Sequence, residues 1–141
     1  MSIRFPSLEF FRALQQRAKD DAAAFEKLGV CDTTFGIRVG SDLYRIVFEV
    51  YECTEVDETS DPAPLDFVLT APVELWKEMF ASVRANGGAD AAHTINSLTH
   101  IGDVMKVEYE DPEGHDKLYR FMATIQEFLD EAQHLDVELD G

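Results

Sequence analysis

The chain has 141 residues, of which 45% are hydrophobic and 11% aromatic. A chain of this kind buries a sizeable core in one domain, placed here at residues 1–141, and wholesale disorder is excluded. The net charge of −16, from 28 acidic and 12 basic residues, argues against nucleic acid as a partner and against binding to anionic bilayers through surface charge. We interpret the charge as favouring solubility. A basic partner protein or a salty cytoplasm is the alternative, and no local motif supports either.

The sequence contains no pattern typical of a membrane span or a secretory leader. No stretch approaches the roughly 18 consecutive apolar residues of a transmembrane helix, and residues 1–6 lack the apolar run of a signal peptide. Cys31 and Cys53 are therefore expected to be free thiols in a reducing cytoplasm. Because both lie in or beside predicted strands, a bridge between them stays geometrically open. We predict a cytoplasmic protein without integral membrane association.

The first predicted element is a helix from Ser7 to about Lys27. Ser7 is a suitable N-cap and Gly29 a suitable C-cap. Between them, apolar residues recur at helical spacing, which predicts one buried helix face. These residues are Leu8, Phe11, Leu14, Ala18, Ala22 and Phe25.

A β-hairpin over Phe35–Cys53 is predicted next. Residues 34–39 alternate between polar and apolar side chains, which is typical of a half-buried strand. A turn at residues 40–42 then leads into a second alternating strand. Polar residues and two prolines predict a loop over Asp57–Pro64.

The most informative stretch runs from Leu65 to Trp76, where a strand leads almost directly into a helix. Strand-forming residues predict a strand over Leu65–Thr70. Pro72 suits the first turn of a helix, which we predict over Pro72–Asn86. The apolar face of this helix consists of Trp76, Met79, Phe80 and Val83.

The C-terminal third repeats the order of a strand followed by a helix. We predict a short helix within Asp90–Thr99, a strand over Val104–Glu110 and a loop over Asp111–Gly114. The last helix, over His115–Gln133, has the clearest amphipathic pattern in the chain. Its apolar stripe consists of Leu118, Phe121, Met122, Ile125, Phe128, Leu129 and Ala132.

The two apolar helix stripes have two interpretations. Ordinary core packing is the more frequent explanation of such stripes. Met and Phe dominate both stripes, however, and Met adapts well to irregular surfaces. Two apolar helices on a small sheet also leave space between the layers easily. A cavity for an apolar ligand therefore stays open as the alternative.

No group of residues predicts catalysis, a metal or a cofactor. The acidic residues over Glu108–Asp116 lack EF-hand spacing, so a solvated surface is expected there. No serine lies in a Gly-x-Ser-x-Gly turn, and no signature links Cys31 or Cys53 to a histidine. We therefore predict that the protein is not an enzyme. The histidines lack the close spacing of a zinc site; they are His93, His100, His115 and His134.

In the order and pattern of these elements, the chain resembles the sterol carrier protein (type 2) lipid-binding family over about residues 7–133. The resemblance rests on the first helix, the hairpin, the strand Asp66–Thr70 and the helix that carries Glu74 and Trp76. It continues through the segment Gly102–Val107 and the closing amphipathic helix. The family commonly turns at a glycine soon after that segment, whereas residues 108–114 form a longer, acidic connection here.

This resemblance implies an α+β fold. The expected architecture is a five-stranded, mixed, mostly antiparallel sheet with helices packed on one face. It also implies an apolar tunnel between the sheet and the helices. By position, the residues expected to face the tunnel are Trp76, Met79, Phe80, Val83, Met105, Val107, Phe121, Ile125 and Phe128.

The leading functional hypothesis is therefore non-catalytic binding or carriage of an apolar small molecule, such as a fatty acyl chain, a sterol or a similar lipid. Arg38 or Arg45 could pair with a carboxylate head group, although a cross-strand ion pair with Glu49 or a neighbour is favoured for each. The alternative hypothesis is an interaction or dimerisation module with a closed core, acting as an accessory to an enzyme.

Overall fold

The computed structural model describes residues 2–89, 94–100 and 105–139, apart from the side chains of Asn96 and His100. Its elements in chain order are β1 (Ile3–Arg4), α1 (Leu8–Asp20), α2 (Ala22–Leu28), β2 (Thr33–Val39), β3 (Asp42–Glu49), β4 (Glu52–Thr59), β5 (Phe67–Ala71), α3 (Val73–Asn86), α4 (Ile95–His100), β6 (Lys106–Glu108), α5 (Pro112–Arg120), α6 (Met122–Asp130), a 3-10 turn (Glu131–His134) and β7 (Val137–Glu138).

The main sheet has five strands in the order β4-β3-β2-β5-β6. The three consecutive strands β2, β3 and β4 form an antiparallel meander. β5 then returns to the other side of β2 and pairs with it in parallel, with Phe35 opposite Phe67 and Ile37 opposite Leu69. β6 closes the sheet antiparallel to β5. The expected mixed, mostly antiparallel sheet is confirmed.

The helices cover one face of this sheet. Because side chains alternate across a strand, Phe35 and Ile37 of β2 and Phe67 and Leu69 of β5 point to the same face, where they join the helices in one core. The opposite face, called the free face below, carries a separate small cluster of Leu43, Leu65 and Val68.

The first predicted helix is two helices in the structure. Ser7 caps α1 as expected, accepting a hydrogen bond from Phe10 N–H at 3.1 Å. The chain leaves helical geometry at Asp21, whose φ and ψ are −111° and 39°, and α2 begins at Ala22. The apolar stripe does not reveal this break, because it continues through Ala18 and Phe25 on both sides of it.

The predicted loop over Asp57–Pro64 begins too early. β4 continues to Thr59, and Thr59 pairs with Leu43 of β3. Polar residues are tolerated here because β4 is an edge strand with an exposed face. Arg45 pairs with Asp57 at 2.9 Å, so the expected cross-strand ion pair forms, though not with Glu49.

The last predicted helix starts earlier than expected and is interrupted. Asp111 caps α5 by accepting a hydrogen bond from Glu113 N–H at 3.0 Å, and Pro112 occupies the first turn. The residues predicted to form a loop therefore begin a helix. The chain leaves helical geometry again at Phe121 before α6 begins.

The remaining differences concern short elements. β6 spans Lys106–Glu108 within the predicted strand Val104–Glu110, and Val104 lies outside the described residues. α4 covers the end of the predicted short helix, whose residues 90–93 also lie outside. The parallel pair β1–β7 was not predicted, because two-residue strands leave no periodic pattern. Within the described ranges, no helix has the length and apolar character needed to cross a membrane.

Candidate functional site

α3 follows β5 directly and is joined to the end of β2 through Trp76. Its four predicted residues, Trp76, Met79, Phe80 and Val83, are all completely buried. The indole N–H of Trp76 donates a hydrogen bond to the Arg38 carbonyl oxygen at 3.0 Å, which satisfies the buried donor and fixes the helix over β2. α3 therefore forms a fixed wall of the interior.

Phe80 belongs to a dense group of aromatic rings that we call the aromatic half of the core. Its ring centroid lies 5.0 Å from that of Phe5 and 4.8 Å from that of Phe10, both in edge-to-face geometry. Phe11 continues the group and lies 4.5 Å from Tyr44. These separations are typical of favourable ring packing, so side chains fill this part of the interior.

Four more residues of the predicted tunnel, Met105, Val107, Phe121 and Ile125, lie in a second part of the core. We call it the β6 half of the core, and it is formed by α4, β6 and the start of α6. Its members are Ile95, Leu98, Met105, Val107, Phe121 and Ile125. Ile95, Met105 and Ile125 are fully buried, whereas Val107 and Phe121 are only half-buried although they pack against the core. Apolar side chains are therefore partly accessible here on the helix-covered side of the sheet.

Phe128 links the interior to the meander. Its ring meets that of Phe48 edge to face at 5.5 Å. The nine predicted residues thus all lie in the core or against it. The pattern of burial distinguishes Val107 and Phe121 from the rest, which no sequence periodicity indicated. The tunnel itself stays a prediction.

α4 covers the β6 half, and hydrogen bonds hold it to neighbouring segments at both of its ends. The Ile95 N–H at its first residue donates to the Gln126 side-chain oxygen on α6 at 2.8 Å. At its other end, the Leu98 carbonyl oxygen accepts from the Met105 N–H at 3.2 Å. A helix of six residues is not stable by itself, so these bonds and two buried side chains, Ile95 and Leu98, hold the cover in place.

Three carboxylates converge at the break between α1 and α2. Oxygen atoms of Asp21, Glu127 and Glu131 all lie within 4.8 Å of one another. Burial and the neighbouring Asp21 together raise the pKa of Glu131 to about 7, against the opposing effect of Arg17. Arg17 Nη2 lies 3.3 Å from Glu131 Oε1. Carboxylates of this kind are able to hold a hard cation, but Arg17 already balances the buried charge.

The other candidate groups stay separate. Cys31 and Cys53 are buried and unbridged, and burial raises the pKa of each thiol to about 12, which suppresses the nucleophilic thiolate. His115 stacks on Tyr109 at 4.5 Å. His93 and the side chain of His100 lie outside the described residues. Within the described part of the chain, no catalytic pair of nucleophile and base is brought together by these residues.

Known proteins match this chain in structure alone. No family model matches the chain, and no curated protein matches it by sequence. The crystal structure of sterol carrier protein 2 superimposes with a TM-score of 0.65 over 90% of this chain and 95% of that one, at 11% identity.

The solution structure of a conserved hypothetical protein from Thermus thermophilus, described as possibly a sterol carrier protein, gives a TM-score of 0.68. It covers 92% of this chain and 88% of its own, at 12% identity. The chain has a sterol carrier protein-like fold. The resemblance inferred from the order of its elements is thereby confirmed at the level of the fold, and the half-buried residues Val107 and Phe121 lie on the helix-covered face of this sterol carrier protein-like sheet.

Proposed function

We propose that this protein binds and carries an apolar small molecule, such as a fatty acyl chain, a sterol or a similar lipid, without catalysing a reaction. The observation that carries the proposal is the half-burial of Val107 and Phe121 against the core of a sterol carrier protein-like fold. An apolar ligand laid on these side chains would remove their remaining surface from water, which stabilises the complex by about 25 cal/mol per Å² of apolar area.

The ligand is proposed to enter at α4. Ile95 and Leu98 fill space on the inner side of this cover, and a hydrogen bond from Ile95 N–H to the Gln126 side chain joins its first turn to α6. Displacing this cover would free a volume bounded by β6 and α6, and a helix of six residues has little stability of its own. The nine residues predicted from sequence then divide into a contact group around Val107 and Phe121 and a supporting group around Trp76 and Phe80.

Carriage requires binding alone, without chemical change. The buried thiols are poorly ionised, which argues against their use as nucleophiles, and the residues of the β6 half are apolar. The proposed ligand would be held by shape and burial, with chemical change left to other proteins.

Native mass spectrometry of the freshly purified protein, before and after organic extraction, tests the proposal. We expect an added mass that extraction removes and that oleic acid or cholesterol restores. A clean unliganded mass, combined with no binding of either probe, would overturn it. In that case the closed core of an interaction module would be the better description.

A variant pair locates the site. Phe121→Ala removes a half-buried ring at the proposed contact, so ligand occupancy is expected to fall. Tyr119→Ala removes an exposed aromatic ring two residues away on α5 and serves as the matched control. Equal occupancy in the two variants, both folded, would place the ligand elsewhere.

A further inference from the structure

The free face of the sheet carries two adjoining cavities. One has a volume of about 180 Å³ and is lined by Pro62, Leu65, Val68, Glu108, Tyr109 and Glu110. The second, of about 250 Å³, lies between the loop before β5 and the start of α5. Because Leu65 and Glu110 line both cavities, we treat them as one surface, the free-face groove.

The floor of the groove is apolar and its rim is exposed. Leu65 and Val68 pack with Leu43 in the small cluster outside the main core. Tyr109 stands at the rim with 46% of its surface exposed, and its ring is held by stacking on His115. Apolar floors beside exposed aromatic rings are typical of protein interaction sites.

The rim is acidic, and its carboxylates differ in their hydrogen-bond and ion-pair partners. Glu108 accepts a hydrogen bond from the Thr70 hydroxyl and lies 3.7 Å from Arg38. The lysine in the second cavity, Lys117, is already paired with Asp66 at 3.3 Å. Glu110 belongs to both cavities, and among the described residues no cation lies within ion-pair distance of it. The groove therefore presents an uncompensated negative charge beside an apolar floor.

The walls of the groove are fixed before any partner arrives. The Asp66 carboxylate accepts hydrogen bonds from the Thr33 hydroxyl at 2.8 Å and from Thr34 N–H at 3.0 Å. The backbone of α5 packs closely against the same residue at Gly114. A Cβ atom added there would clash with the Asp66 carbonyl oxygen. A preformed surface loses little entropy when it binds.

We propose that the free-face groove docks a basic, partly apolar segment of a partner protein. The aliphatic stem of one Lys or Arg lies on Leu65 and Val68, and its cationic head meets Glu110 at the rim. Amphipathic side chains suit such a surface, because their stems are apolar and their ends are charged.

This proposal is independent of lipid carriage, because the groove and the β6 half lie on opposite faces of the sheet. It also differs from general attraction by a chain of net charge −16. General attraction would respond alike to the loss of any exposed carboxylate, whereas docking depends on one position.

The test uses a fluorescent eight-residue peptide in which Lys and Leu alternate, titrated in about 100 mM salt. We expect Glu110→Gln to weaken binding by roughly threefold to tenfold, in line with a well-placed charge at an interface. Glu49→Gln removes one exposed carboxylate from β3, away from the groove, and should change binding by less than about twofold, as expected of a distant screened charge.

Three outcomes would overturn the proposal. Equal weakening by Glu110→Gln and Glu49→Gln would mean diffuse attraction. Equal binding of a peptide with Ser in place of Leu would remove the role of the apolar floor. Displacement of the peptide by spermidine at equal charge concentration would assign the groove to free amines. Circular dichroism of each variant establishes that the fold is kept, and measurement before and after lipid extraction separates this result from lipid carriage.

Discussion

The two halves of the core differ in composition, one aromatic and the other mainly aliphatic, and they are held in different ways. In the aromatic half, Phe5, Phe10 and Phe80 meet one another at 4.8–5.0 Å. In the β6 half, Val107 and Phe121 keep part of their surface accessible, and a six-residue helix provides cover. The comparison teaches that one continuous apolar core can be filled densely in one part and keep accessible apolar surface in another.

The largest expected effect of a single change lies in the aromatic half. Phe10→Ala should lower the free energy of unfolding by about 3–5 kcal/mol, because it leaves a cavity among close-packed rings. Phe121→Ala, in the β6 half, should cost clearly less, since its ring is only half-buried. Urea denaturation followed by circular dichroism measures both. Equal losses would remove the distinction between the two halves.

The second effect tests the contact that holds α5 against the sheet. Gly114→Ala should destabilise the protein by about 1–3 kcal/mol or more, because the new methyl group meets the Asp66 carbonyl oxygen and backbone must move. Gly88→Ala is the matched control, since the atoms nearest its Cβ lie at 3.5 Å, which is ordinary contact. A Gly114→Ala variant as stable as Gly88→Ala would contradict the contact.

The third effect is a pH dependence at the break between α1 and α2. The pKa of Glu131 is raised from 4.5 to about 7, so the folded state holds this proton more tightly than the unfolded state does. Stability should therefore fall as the pH rises from about 4.5 to about 7, and this contribution should be constant above pH 7.

One unit of pKa corresponds to about 1.4 kcal/mol, so the rise from 4.5 to about 7 sets an upper bound of about 3.5 kcal/mol, and screening by solvent reduces the expected contribution to about 2 kcal/mol. Glu131→Gln should remove the dependence, so that the variant gains stability relative to the parent at pH 8 but not at pH 4. Unfolding by urea across this pH range gives the comparison. A parent and variant with parallel profiles would argue against a buried carboxyl group with a raised pKa.

The smallest effect concerns the cover of the β6 half. Gln126→Ala removes the acceptor of the Ile95 N–H, which should cost only about 0.5–1.5 kcal/mol in stability. Amide hydrogen exchange in α4 should nevertheless become faster, while exchange in α3 stays unchanged. Gln16→Ala, on the exposed side of α1, controls for the loss of a glutamine. Unaltered exchange in α4 would mean that the hydrogen bond to Gln126 does not retain the cover.

Much of the fold could be predicted because its main elements bury one face each. Alternating residues in Phe35–Val39 and helical spacing from Trp76 to Val83 are direct consequences of that burial. The errors fall where local patterns are ambiguous. Asp111 and Pro112 are typical of a loop, yet Asp at the N-cap and Pro in the first turn also begin a helix.

The candidate site was harder to predict for a different reason. The sequence correctly indicated that residues such as Met79 and Ile125 are buried, but the space left between them depends on side chains from distant segments. Phe5 and Phe10 fill the surroundings of Phe80, and no property of α3 predicts this. The free-face groove was missed because Leu65 has the same apolar character as its strand neighbours, and its position outside the core depends on the loop geometry.

The parallel pairing of β2 with β5 has a kinetic consequence. Phe35 finds its antiparallel partner Ile46 after 11 residues, but its parallel partner Phe67 only after 32. The meander can therefore form early, whereas closure of the sheet must await a distant segment, which is intrinsically slower. Until β5 pairs with β2, the backbone groups along this edge of β2 stay unpaired beside apolar side chains. Refolding at high protein concentration should lose material to aggregation at this stage, and dilution should recover it.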